Sequence, residues 1–89
     1  MKSRTTDRFR SCFARMPEEI QRQAREAYGR FVDHPSHPSL RYKRVHDALP
    51  VYSVRVSLDY RAVGVRDGDE MIWFWIGPHA EYERLLAAL

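Results

Sequence analysis

Val51-Tyr52-Ser53-Val54-Arg55-Val56-Ser57-Leu58-Asp59-Tyr60-Arg61-Ala62-Val63-Gly64-Val65-Arg66-Asp67-Gly68-Asp69-Glu70-Met71-Ile72-Trp73-Phe74-Trp75-Ile76 runs through the second half of the chain and sets its architecture. Val51 to Ser57 alternates: Tyr52, Val54 and Val56 fall on one face, Ser53, Arg55 and Ser57 on the other, as in a half-buried strand. Leu58-Asp59 is a tight connection, and Tyr60 to Arg66 is the next strand. Asp67-Gly68-Asp69 is a hairpin signal. Met71 to Ile76 is apolar on both faces, which predicts a strand covered on both sides. Short turns between consecutive strands mean antiparallel neighbours.

Upstream, Leu40 to Val45 predicts a further strand with a basic side, Arg41, Lys43 and Val45 alternating with Leu40, Tyr42 and Arg44. A loop from His46 to Pro50 follows it. The stiff turn His34-Pro35-Ser36-His37-Pro38-Ser39 precedes it. Before that turn, Ile20, Ala24, Ala27, Tyr28, Phe31 and Val32 recur at helical spacing. This helix starts at Pro17, with Glu18 and Glu19 near its positive end. It stops before His34-Pro35, because a residue preceding proline avoids the helical region. Asp7 is positioned to cap a shorter helix from Arg8 to about Arg15, with Phe9 and Phe13 on one face. Residues 1–6 are compatible with an edge strand. Downstream, Gly77-Pro78 ends the buried strand and opens a last helix, His79 to Leu89, striped by Tyr82, Leu85, Leu86 and Leu89.

The fold expected is therefore α+β: an N-terminal helix hairpin on a small antiparallel sheet of about four strands, with a short C-terminal helix. Candidate core residues are Phe9, Phe13, Ile20, Ala24, Phe31, Val54, Val56, Val63, Ile72, Phe74 and Ile76. One parity conflict stands out. Arg61 shares a face with Val63 and Val65, whereas Arg55 opposes Val54 and Val56. Either a bulge intervenes, or Arg61 sits on a half-buried face where its guanidinium needs an anionic partner.

At 89 residues the chain makes one domain, 1–89, which excludes a multidomain enzyme or a large cofactor fold. The single cysteine, Cys12, excludes an internal disulfide and a cysteine-rich zinc site. No apolar run reaches the length of a membrane helix, ~18–20 residues. The charged N-terminus has no signal-peptide core, so a cytoplasmic location is expected, with no membrane partner. Net charge is +3 from 15 Lys+Arg against 12 Asp+Glu. That total hides an asymmetry, since residues 1–15 and 41–61 are basic and residues 67–89 acidic. Nearly all the cations are arginines, whose planar donor forks fit phosphate and carboxylate. An anionic partner on one surface fits this pattern, as does a solvated face rich in arginine. His34, His37 and His46 lie in loops without ligand spacing and read as structural or solvent-facing; no metal or cofactor is expected.

Four segments carry a family resemblance. They are His37-Pro38-Ser39-Leu40-Arg41-Tyr42-Lys43-Arg44-Val45, Tyr52-Ser53-Val54-Arg55-Val56, Asp59-Tyr60-Arg61-Ala62-Val63 and Trp73-Phe74-Trp75-Ile76-Gly77-Pro78-His79-Ala80-Glu81-Tyr82. Together they resemble the RelE/ParE superfamily of bacterial toxins, which includes HigB-type toxins of type II toxin–antitoxin systems. The signals are a basic strand, two arginines six apart across a short turn, and Gly-x-His-x-x-Tyr after a buried strand. The resemblance implies a small twisted sheet flanked by a helix pair and a terminal helix. RelE-like and HigB-like members cut mRNA in the ribosomal A site; ParE-like members poison DNA gyrase.

Cleavage of RNA by its own 2′-hydroxyl requires a base, cations at the pentacoordinate phosphate, and an acid for the 5′-oxygen. The products are a 2′,3′-cyclic phosphate and a 5′-hydroxyl. By resemblance, Arg61 is the phosphate-stabilising arginine; its competing role is a pair with Asp59 or with an acid of the C-terminal segment. Lys43 and Arg44 match the strand that presents catalytic or RNA-holding lysines, and Arg41 extends that basic surface. Arg55 is a phosphate contact or a structural ion pair. His79 is the acid or base by residue type, at a helix start that also favours phosphate. Tyr82, three residues on, completes the site or packs beside Leu85 and Leu86. Trp73 and Trp75 either stack on bases or fill the core. Ala80 stands where many relatives carry a second basic residue. The acidic Glu81 and Glu83 follow it; Glu81 suits the helix start or serves as a base. These departures leave three readings open: a ribosome-dependent, metal-independent mRNA endonuclease, a gyrase inhibitor, or an inactive homologue that only binds its antitoxin. All three imply a cognate antitoxin partner.

Overall fold

The computed structural model describes all 89 residues. In chain order they form β1 (Lys2–Thr5), α1 (Asp7–Ala14), α2 (Glu18–Asp33), a 3-10 turn (Pro38–Leu40), β2 (Lys43–Arg44), β3 (Val51–Ser57), β4 (Tyr60–Asp67), β5 (Glu70–Pro78) and α3 (His79–Ala88). The strands make one sheet in the order β1-β5-β4-β3-β2. From β2 to β5 every neighbour is antiparallel. β1 adds a fifth strand, parallel to β5, so the sheet is mixed. Four polar residues carry no strand signal of their own, and long-range bonds place them. The Trp73 indole Nε1 donates to Ser3 Oγ at 2.8 Å, and the Tyr28 hydroxyl donates to the Ser3 carbonyl at 3.0 Å.

Thr6, not Asp7, caps α1. Thr6 has the extended backbone a cap needs, and its Oγ1 accepts the Phe9 N–H at 3.1 Å. Asp7 instead opens the helix and pairs with Arg10. The Gln21 side chain donates to the Phe13 and Met16 carbonyls, at 3.0 and 3.2 Å, tying the end of α1 to the first turn of α2. α2 ends at Asp33, before His34-Pro35, as the proline requires.

The strand expected over Leu40–Val45 is reduced to Lys43–Arg44. Pro38 at the first helical position and the His37 ring, whose Nδ1 accepts the Ser39 N–H at 3.2 Å, nucleate a 3-10 turn. Arg41 leaves that turn with a left-handed backbone, φ 47°. Leu40 is thereby driven fully into the core.

α1 and α2 cover one face of the sheet, where Phe31, Leu40, Val54, Ala62, Trp73 and Ile76 are buried. α3 covers the other face. Two bulges set which residues go where. Arg55 pairs with Arg61 and Ser57 with Tyr60, so Val56 is the extra residue in β3. Val63 pairs with Trp75 and Gly64 with Trp73, so Phe74 is the extra residue in β5. The second bulge sends the tryptophans to opposite faces, and both are buried. It also corrects the core: Met71 and Trp73 are inside, whereas Ile72 and Phe74 are half-buried. Phe9, Phe13, Val56 and Ile20 are half-buried as well.

Gly77 is required by packing. A Cβ there would lie 2.6 Å from the Trp75 ring, which lies against the Gly77 backbone. Gly77→Ala must displace a buried indole, a change that costs about 1–3 kcal/mol. A drop of several degrees in melting temperature is the expected result, read by circular dichroism.

Candidate functional site

Strand alternation and register bring basic residues to the sheet face that carries α3. One row across the sheet joins Lys43, Ser53, Val63 and Trp75. Two residues along, the next row joins Arg55, Arg61 and Gly77. Both rows lie on the face opposite Val54 and Ala62, that is, on the α3 side. α3 is anchored there by Tyr82, which is buried, with its hydroxyl 3.2 Å from Ser53 Oγ. The far end of α3 is held by His46. Its Nδ1 accepts the Ala48 and Leu49 N–H groups, leaving Nε2 to donate to the Leu89 carbonyl at 3.3 Å.

The parity conflict resolves in both ways at once. β3 is bulged, and Arg61 lies on a half-buried face directly opposite Arg55. Its Nη1 donates to the carbonyls of Ser57 (2.9 Å), Tyr60 (2.9 Å) and Leu58 (3.3 Å), fixing the guanidinium against the β3–β4 turn. No carboxylate lies within ion-pairing distance of Arg61 or Arg55, so neither the pair with Asp59 nor one with an acid of the C-terminal segment forms. Burial lowers the proton affinity of Arg61, and Arg55 and, to a lesser degree, Arg41 lower it further, while Tyr82 and Asp59 oppose them. Arginine stays charged regardless. Facing like charges destabilise a sheet by about 0.2–1 kcal/mol, and an anion between them reverses that sign.

His79 is the first residue of α3, and its N–H donates to the Asp59 carbonyl at 2.7 Å. That bond sets the start of the helix beside the β3–β4 turn that Arg61 holds. The imidazole is part-exposed, 5.5 Å between centroids from the Tyr82 ring, with Nδ1 3.7 Å from a Glu83 carboxylate oxygen. Lys43 is exposed on the same sheet face as Arg55 and Arg61. Arg44 alternates to the other face, and its Nε donates to the His46 carbonyl at 3.0 Å. Arg41 belongs to no strand; it reaches the site from the turn that follows Leu40, near enough to Arg61 to act on its charge. No group of three or more His, Cys, Asp or Glu side chains is placed to hold a metal ion.

Sequence reading missed Ser53 as the buried partner of Tyr82, although it was legible as a polar residue in an alternating strand.

The model for the ParE-like toxin domain matches residues 18–84, from the start of α2 into α3. The chain belongs to the ParE-like toxin domain family. This places it in the RelE/ParE superfamily, and solved structures agree on the fold. The RelB–RelE antitoxin–toxin complex from Methanococcus jannaschii superposes with TM-score 0.74 at 15% identity, covering 91% of this chain and 95% of that one. YafQ from E. coli gives 0.73 at 7% identity, covering 91% and 96%. The RelBE2 toxin–antitoxin complex from Mycobacterium tuberculosis gives 0.70 at 18% identity, covering 86% and 95%. No curated protein matches the chain. Within a ParE-like toxin domain, then, this sequence places Lys43, Arg55, Arg61 and Tyr82 on one sheet face, with His79 at the start of the helix that covers it.

Proposed function

We propose that the chain is the toxin of a type II toxin–antitoxin pair and cuts mRNA on the ribosome, in the cytoplasm. The observation that carries this reading is the Arg55–Arg61 pair: two arginines directly opposite one another across the ladder, neither with a carboxylate partner. Such a pair is pre-organised for a phosphate whose charge increases in the transition state. In this reaction the RNA 2′-oxygen attacks phosphorus and its proton passes to a base. The bond from phosphorus to the 5′-oxygen breaks, and that oxygen takes a proton. Arg61 and Arg55 hold the phosphoryl oxygens. Lys43 holds the adjoining phosphate. His79, part-exposed at the start of α3, carries the proton. Tyr82 acts by position: its buried hydroxyl fixes α3, and hence His79, over the sheet. The RNA supplies its own nucleophile, so the mechanism requires no metal.

The partner proposed is a cognate antitoxin, as in the solved RelE complexes. An acidic antitoxin segment would meet Arg41, Lys43 and Arg44, and its binding would weaken with salt.

The test is cell-free bacterial translation with the purified chain and primer extension on the mRNA. New 5′ ends that require ribosomes support the reading. The match to the ParE-like model favours one alternative, inhibition of DNA gyrase. Intact mRNA together with blocked supercoiling would select it, and inactivity in both assays would select a homologue that only binds antitoxin.

Tyr82→Phe separates position from chemistry. It leaves the Ser53 hydroxyl without its buried partner, at a cost of about 1–2 kcal/mol. A lower melting temperature with cleavage reduced by less than about tenfold, some 1.4 kcal/mol in the barrier, is expected. Stability and cleavage rates check it together.

A further inference from the structure

A broad open groove runs between α2, the 3-10 turn and the end of β3. It exists because β2 begins only at Lys43, opposite Ser53, so no strand flanks β3 from Val54 to Ser57 on that side. α2 supplies one wall, with Arg22, Glu26 and Arg30. Arg41 and Arg55 stand on the other. The one carboxylate lining the groove, Glu26, is already engaged by Arg22, which also pairs with Glu19. Arg30, Arg41 and Arg55 form no ion pair. A favourable place in the last turn of α2 accounts for Arg30 alone. It does not account for three arginines without carboxylate partners lining one groove.

Arg41 holds its place through a backbone conformation that non-glycine residues seldom adopt. Its N–H donates to the Pro38 carbonyl at 3.3 Å. From there it lines the groove and also acts on the charge of Arg61. Arg55 lines the groove and faces Arg61 across the ladder. The channel is therefore continuous with the candidate site. Its apolar lining is confined to a few side chains such as Val56 and Leu58. A protein segment needs buried apolar anchors at the centre of its interface. A nucleic-acid backbone needs cations and little else.

We propose that this groove is a phosphate track for single-stranded RNA leading to the Arg61 site, with Arg30 as a binding residue outside the catalytic centre. The proposal rests on the RNA-cutting reading for the identity of the polyanion.

The test titrates the full chain into a fluorescent, unstructured 12-nucleotide RNA at several KCl concentrations, with anisotropy as the readout. Arg30→Gln is expected to weaken binding about fivefold and to flatten the salt dependence by about 0.7, one phosphate contact on a single strand. Arg30 is exposed, so its substitution leaves the fold intact. Arg84→Gln, the same charge loss on an exposed residue of α3, is expected to bind as the wild type does. Equal affinity and salt slope for Arg30→Gln and wild type would overturn the proposal. So would absence of RNA binding by the wild type, or tighter binding of a glutamate-rich peptide of equal charge. Cleavage is scored separately. Ribosome-dependent cutting with an Arg30→Gln chain that binds RNA normally removes the groove alone. Arg30-dependent binding by a chain that never cuts mRNA removes the cutting reading alone.

Discussion

Arg61→Ala is expected to lower the rate of mRNA cleavage by at least about a hundredfold, some 2.7 kcal/mol of transition-state stabilisation. The side chain is half-buried, fixed by three turn carbonyls, and has no carboxylate to neutralise it. Its charge is thus already aimed before substrate arrives, and no reorganisation is needed as negative charge develops on the phosphate. The structural cost of the substitution is small. The turn carbonyls are near the surface, where water replaces Nη1, and removing Arg61 relieves its repulsion with Arg55. A loss of about 1 kcal/mol in stability is expected. Arg61→Lys keeps the charge but not the fork, so intermediate activity follows. Single-turnover cleavage beside thermal melting separates the effects; full activity in a folded Arg61→Ala chain would remove Arg61 from the chemistry.

Phe31→Ala is the substitution with the largest expected effect on stability. Phe31 is 1% exposed and joins three parts of the fold. It sits on α2, meets Trp73 of β5 edge-on at 5.2 Å, and meets Tyr42 beside the 3-10 turn at 5.0 Å. Truncating a phenylalanine in such a core costs about 3–5 kcal/mol. Domains of this size have about 5–10 kcal/mol in total, so the variant should be partly unfolded near 37 °C. Urea unfolding measures the loss. Val32→Ala, the next residue but 41% exposed, should change stability by less than about 0.5 kcal/mol.

Much of this architecture is legible in residues 51–76 because alternation and turn chemistry are local signals. β3, β4, β5 and the hairpin at Gly68, whose φ is +62°, follow from them. What was not legible depends on contacts distant in sequence. β1 is placed by Tyr28 and Trp73. Leu40 is buried because the His37–Pro38 turn outweighs the alternation of the residues after it. The bulge at Val56 sets Arg55 opposite Arg61 and the bulge at Phe74 decides which tryptophan faces which helix, and a period-two pattern carries no trace of an inserted residue. The candidate site divides along the same line. Arg55, Arg61 and Lys43 share a face by parity, so their meeting could be read from spacing once the strands were paired. Arg44 falls away from them by the same rule. The burial of Tyr82 and the place of Arg30 on the groove wall depend on how helices lie on the sheet, which neither residue's neighbours in sequence encode.

A chain that makes the RNA its own nucleophile leaves a signature in the ends it creates, read on the fragments from ribosome-dependent cleavage by the wild-type chain. The expected ends are 5′-hydroxyls, labelled by polynucleotide kinase without prior phosphatase, opposite 2′,3′-cyclic phosphates. Fragments bearing 5′-phosphates, or mRNA left whole by a folded chain, would contradict that mechanism.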